Sequence, residues 1–70
     1  GPEHPDLAIR LNNLANLYSE QGKFELAEPL YQRALVIHEH VFGPTHPHTI
    51  RVRENYTALL EEMKQKKNHG

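Results

Sequence analysis

One glycine separates two helical patterns, and that spacing leaves few folds open. Before Gly22, Leu7, Leu11, Leu14 and Tyr18 recur at steps of four, three and four, with Ala15 and Leu17 widening the stripe. After it, Phe24, Ala27, Tyr31, Ala34, Leu35 and His38 keep the same rhythm. Both stripes follow the period of about 3.6 residues that marks an amphipathic helix. Glycine accepts a left-handed backbone at a helix end because it has no Cβ to clash. One helix therefore stops near Gln21, the chain turns on Gly22 and Lys23, and a second helix returns along the first. So short a connection makes the two helices antiparallel neighbours.

The chain also repeats itself at longer range. GPEHP at the start returns as GPTHP from Gly43 to Pro47, an offset of 42 residues. At the same offset Asn13 falls on Asn55, Leu17 on Leu59 and Glu20 on Glu62. A fixed period of this size marks a stacked repeat array. Pro5 and Pro47 suit the first turn of a helix, where a missing N–H costs nothing. Each pushes the residue before it, His4 or His46, out of the α region and into a capping position. Asp6 adds a negative charge near the positive end of its helix. Gly43 and Pro44 end the preceding helix in the usual order.

These signals predict helices over Pro5–Gln21, Phe24–Phe42 and Pro47–Lys67. The second carries Pro29, but only one turn precedes it, so a slight bend and no break is expected. The third takes its stripe from Val52, Tyr56, Leu59, Leu60 and Met63. Lys64 occupies the repeat position of Gly22, so no second hairpin follows. Lys64, Lys66 and Lys67 suit the negative end of that helix.

Leu11, Asn13, Leu14, Ala15, Tyr18, Gly22, Phe24, Ala27, Tyr31, Ala34 and Leu35 together resemble the tetratricopeptide repeat, with its set pattern of small and large residues. Leu11 stands where that pattern has Trp, Ala15 where it has its first Gly, and the late Pro is displaced. GPEHPDLA and AEPLYQRAL are similar to the long repeats of kinesin light chains and related bacterial proteins. The resemblance spans Gly1 to about Leu60. It implies an all-α fold of three antiparallel helices in a short right-handed stack. One full repeat would occupy 1–42, and a half repeat with a C-terminal capping helix 43–70. The start at a repeat boundary suggests a piece of a longer array.

The resemblance also implies a protein-interaction scaffold whose first helices line a concave groove for an extended peptide. By position Ile9, Asn12, Asn13, Asn16 and Glu20 map to that lining, as do Arg51, Glu54, Asn55 and Glu62 of the third helix. The asparagines support this independently. Asn competes for backbone bonds and disfavours a helix by about 0.5 kcal/mol each, so three within Asn12–Asn16 call for a compensating role. An amide side chain offers both donor and acceptor to a peptide backbone. Asn12 and Asn16, four apart and one above the other, are assigned to the groove. For Asn13 and Asn55 two roles stay open: peptide contact, or a bond across to the neighbouring repeat.

Other chemistries find little support. The formal charge of −1 argues against a nucleic-acid binder, which needs a basic face. There is no cysteine, hence no disulfide framework and no thiolate zinc site. No apolar run approaches the roughly 20 residues of a membrane span, and an intracellular, cytoplasmic setting is expected. Six histidines invite a metal reading, but His38 and His40 point to different sides of a helix, and Pro47 holds His46 out of the next one. Without an HExxH motif or an i,i+4 pair, capping is the expected role of His4 and His46, and no metal or other cofactor is expected. Ser19 and the threonines lack a histidine at helical spacing, and the glycines form no phosphate loop, so no enzyme is expected. Tyr18, Phe24, Tyr31 and Tyr56 read as core, large against small.

One side of the hairpin has no cover in this scheme. Leu7, Leu30, Ile37 and Val41 are its expected occupants, and about three repeats are needed for stability in such arrays. A self-associating module is therefore expected, through that face or by helix exchange across Gly43–Pro44. A purely structural capping segment is the alternative to a binding groove, and a neighbouring repeat is the expected partner of the uncovered side.

Overall fold

The computed structural model of the chain describes residues 4–69. It consists of α1 (Pro5–Glu20), α2 (Phe24–Phe42) and α3 (Pro47–His69), and no strand occurs among the described residues. Gly1 and Pro2, half of the first repeat motif, lie outside them.

The helix boundaries follow from local chemistry. His4 is extended, with φ −97° and ψ 134°, and its imidazole Nδ1 accepts the backbone N–H of Asp6 at 3.1 Å. His46 does the same for His48 at 3.1 Å. Both repeat-equivalent histidines are therefore helix caps, as expected from the prolines that follow them. At the other end of α1 the N–H of Lys23 reaches the carbonyl of Tyr18 at 2.8 Å, and that of Gly22 reaches Ser19 at 3.0 Å. Gly22, at φ 77°, makes this paired closure possible. Lys23 lies over the Tyr18 ring, 6.0 Å from its centroid, where such closures usually place an apolar contact. The closure takes Gln21 out of α1, one residue before the expected end.

α2 runs unbroken through Pro29 and stops at Gly43, which has φ 92°. α3 passes the expected Lys67 and ends at His69, since nothing from Lys64 onward breaks a helix. At 23 residues it is about 34 Å long, which sets most of the 40 Å long dimension of the molecule.

α2 is the central element. It packs against both α1 and α3, whereas α1 and α3 touch only lightly. Ala8, Leu11, Ala34, Ile37 and Val52 form one cluster, and Ala15, Ala27, Tyr31 and Leu59 form a second. Leu30 joins both. Alanine on α1 lets α2 approach closely, and the larger Tyr31 and Ile37 fill the space that remains.

Three expectations need correction. Leu14, expected in the stripe of α1, and Leu17, expected to widen it, are 39% and 49% exposed, so neither belongs to the core. The buried line on α1 runs through the expected Leu11 and Ala15 together with Ala8. Leu60, expected in the core stripe of α3, is likewise exposed. Ile37, expected on the uncovered side, is only 1% exposed and packs with Ala8, Leu11 and Val52. The apolar side chains left open near the hairpin turn are Leu14, Leu17 and Leu26.

Candidate protein-interaction groove

α1 and α3 are equivalent by the 42-residue repeat and stand side by side on one face of α2. Their facing edges create a shallow groove. Ile9, Asn12, Asn13 and Arg51, four of the residues expected to line it, share a cavity of about 230 Å³. His38, His48 and Val52 complete its wall. Ile9, Asn13 and Arg51 are exposed, so their side chains are open to a ligand.

The asparagines divide by partner. Asn55 Nδ2 donates to Asn12 Oδ1 at 3.4 Å, a bond that crosses from one repeat to the next. The cross-repeat pair thus joins Asn12 to Asn55, while Asn13 remains exposed. Asn16 Oδ1 accepts the hydroxyl proton of Tyr31, which fixes its carbonyl against α2. Asn12 and Asn16 each keep an amide N–H₂ for further donation. Of the two roles open for Asn55, the bond across to the neighbouring repeat is the one formed.

Towards the hairpin turn the groove becomes acidic. Burial pushes the Tyr31 hydroxyl above its ordinary pKa, and the carboxylates of Glu20 and Glu62 add to the rise. Glu20 and Glu62 are repeat equivalents, so one carboxylate comes from α1 and one from α3. Arg51 lies at the opposite end, within the cavity. Glu54 is exposed but lines no part of that cavity.

Sequence reasoning did not find His38 and His48 as lining residues. His38 was visible only as a member of the α2 apolar stripe, and its place in the wall depends on how α3 crosses α2. His48 occupies the repeat position of Asp6, a substitution legible once the repeat is aligned.

A second cavity, about 520 Å³, opens where the hairpin turn meets α3, against Phe24, Leu26, Met63, Lys66 and Lys67. Lys66 lies 5.4 Å from the Phe24 ring centroid there. It is the larger space but contains none of the expected groove residues. Among the described residues no cluster of three or more His, Asp or Glu side chains could hold a metal ion. No helix among them is long and apolar enough to cross a membrane.

Antiparallel helices, a glycine-closed turn and a third helix that restarts the motif define a helical-hairpin repeat with an open inner face. The chain belongs to the tetratricopeptide repeat family: the family model described as Tetratricopeptide repeat matches residues 7–48. Repeats of this family mediate protein–protein interaction and stack on neighbouring repeats. Neither the comparison with curated proteins nor that with solved structures found a match.

Proposed function

We propose that the chain is a non-catalytic scaffold that holds an extended peptide or protein segment in the groove between α1 and α3. The observation that carries this reading is the cavity of about 230 Å³, which gathers Ile9, Asn12, Asn13 and Arg51 from two helices onto one surface. Asn16, Glu20, Glu54 and Asn55 extend the same surface along the helices. Free amide donors on Asn12, Asn13 and Asn16 suit the carbonyls of a peptide backbone. No nucleic acid or membrane is part of the proposal, and the setting is intracellular and cytoplasmic. A peptide array probed with the chain tests it. Wild-type protein should retain a subset of peptides that Asn13→Ala/Arg51→Ala loses at least about tenfold, the effect of some 1.4 kcal/mol. Equal retention by the variant would remove the groove.

A second reading concerns assembly. Residues 1–42 form one repeat and 43–70 the first half of the next, and Leu14, Leu17 and Leu26 are open on the hairpin. These side chains support a neighbour on that side, either a further repeat or a second copy of the chain. They favour self-association when no further repeat is present.

A further inference from the structure

Where α2 passes into α3, three imidazoles gather around one phenyl ring. Phe42 stacks on His46 at 4.6 Å and on His38 at 5.5 Å, and meets the edge of His48 at 5.5 Å. His46 and His48 are themselves 4.9 Å apart, and His38 and His48 6.4 Å. His38 is 3% exposed, and its Nδ1 is buried without a hydrogen-bond partner. Its backbone carbonyl accepts the Thr49 hydroxyl at 3.2 Å, tying α2 to the first turn of α3.

Two of these rings perform structural tasks that require the neutral form. His46 caps α3 with an Nδ1 lone pair, and a proton on that nitrogen removes the acceptor. Buried His38 cannot be charged without loss of hydration. Burial holds its pKa below the ordinary imidazole value, with His48 and then His46 adding to the fall.

The first copy of the motif shows what the second lacks. At His4 the carboxylate of Asp6 lies 3.8 Å from Nδ1, ready to pair with the imidazolium. The repeat places His48 at the position of Asp6, so a charged His46 meets another base. The other charged groups at the joint do not compensate. From α3, Arg51 lines the same cavity as His38 and His48. Arg53 binds Glu39 of α2 at 3.3 Å and the Pro44 carbonyl at 3.1 Å, so Glu39 is already engaged. α1 reaches this cavity through Ile9, Asn12 and Asn13, all uncharged.

We propose that the α2–α3 joint is a proton-sensitive latch: protonation of the buried His38 ring in mildly acidic solution releases α3 from α2. A charged His38 ring finds no hydrogen-bond partner inside the joint and must move towards water, which pulls its carbonyl away from the Thr49 hydroxyl. The sign follows from linkage. A base whose pKa is lowered by folding binds more protons when unfolded, so stability is full above an ordinary imidazole pKa of about 6.5 and declines as pH falls below it. Carboxylates titrate lower and contribute little to this window. Release of α3 also dismantles the α1–α3 groove, so any ligand held there would leave on acidification.

Thermal melting of the 70-residue chain by far-ultraviolet circular dichroism, from about pH 7.5 to about pH 5, tests the latch. Wild type should lose about 5–10 °C in Tm across that range. His38→Gln should lose no more than half as much, because an amide does not titrate in this range. Should that variant not fold, wild-type amide chemical shifts followed over the same range should move throughout the first turns of α3 in step with the His38 ring, and α3 shifts that stay unmoved while that ring titrates would overturn the proposal. His4→Asn should keep the full wild-type loss. An undiminished loss in His38→Gln, or a loss abolished by His4→Asn, would overturn the proposal.

Discussion

Tyr31 packs its ring with Ala15, Ala27 and Leu59 and donates its hydroxyl to Asn16. It also stacks on Tyr56, with centroids 6.2 Å apart. The phenol is thus a core side chain, made acceptable inside by its one polar partner. Tyr31→Phe should lower stability by about 1 kcal/mol, read as a lower urea midpoint at unchanged slope. Asn16→Ala should cost a similar amount, and the two should be less than additive because they remove one bond. Full additivity would mean that the bond is not formed. Gly22 gives a second residue-level expectation. A Cβ there would meet nothing within 4 Å, yet φ is +77°. Gly22→Ala should therefore cost about 1–2 kcal/mol of backbone strain alone, without rearranging neighbours. A shifted hairpin in the variant, seen as widespread amide shift changes, would contradict this. Asn16 was legible as an anomaly in a helix, but not as the partner of a tyrosine fifteen residues away. That pairing depends on where two helices cross, which no local pattern encodes.

The helices themselves were the most legible level. Their ends are governed by Pro5, Gly22, Gly43 and Pro47, whose conformational limits act within a residue or two. The buried face of α1 was less so. Hydrophobic weighting draws the eye to Leu14 and Leu17, but close approach of α2 requires small residues, and the core line runs through Ala8 and Ala15. Thr49 was missed for a similar reason: it is fully buried because its hydroxyl is bound by the His38 carbonyl. On the outer side Tyr56 accepts from Gln32 at 2.7 Å and donates to Glu28 at 3.2 Å, adding polar ties between α2 and α3. Pro29 forfeits one backbone bond to Glu25 inside α2. Pro29→Ala should therefore raise Tm, by an amount equivalent to about 1 kcal/mol or more. An unchanged or lower Tm would mean that the fixed proline φ stabilises this turn as much as the lost bond weakens it.

At the scale of the molecule, α3 shares a shallow cavity with α1 and α2, while Leu14, Leu17 and Leu26 stay exposed on the hairpin. The apolar side chains at Leu14, Leu17 and Leu26 should drive weak association, visible in sedimentation velocity as a weight-average mass that rises with concentration. A Leu14→Lys/Leu17→Lys variant should remain monomeric throughout, and a wild type that does the same would exclude this face as a contact. Four of the residues that the family pattern points to meet in one cavity. Its histidine wall and the Asn12–Asn55 crossing could not be anticipated, because both depend on the angle at which α3 lies over its neighbours. The central claim is that this surface holds the partner, and amide chemical-shift mapping with a peptide selected from the array tests it most directly. Changes should concentrate at Ile9, Asn12, Asn13, Arg51 and Asn55. Changes confined to Lys23–Leu26 and Met63–Lys67, or none at saturating peptide, would contradict it.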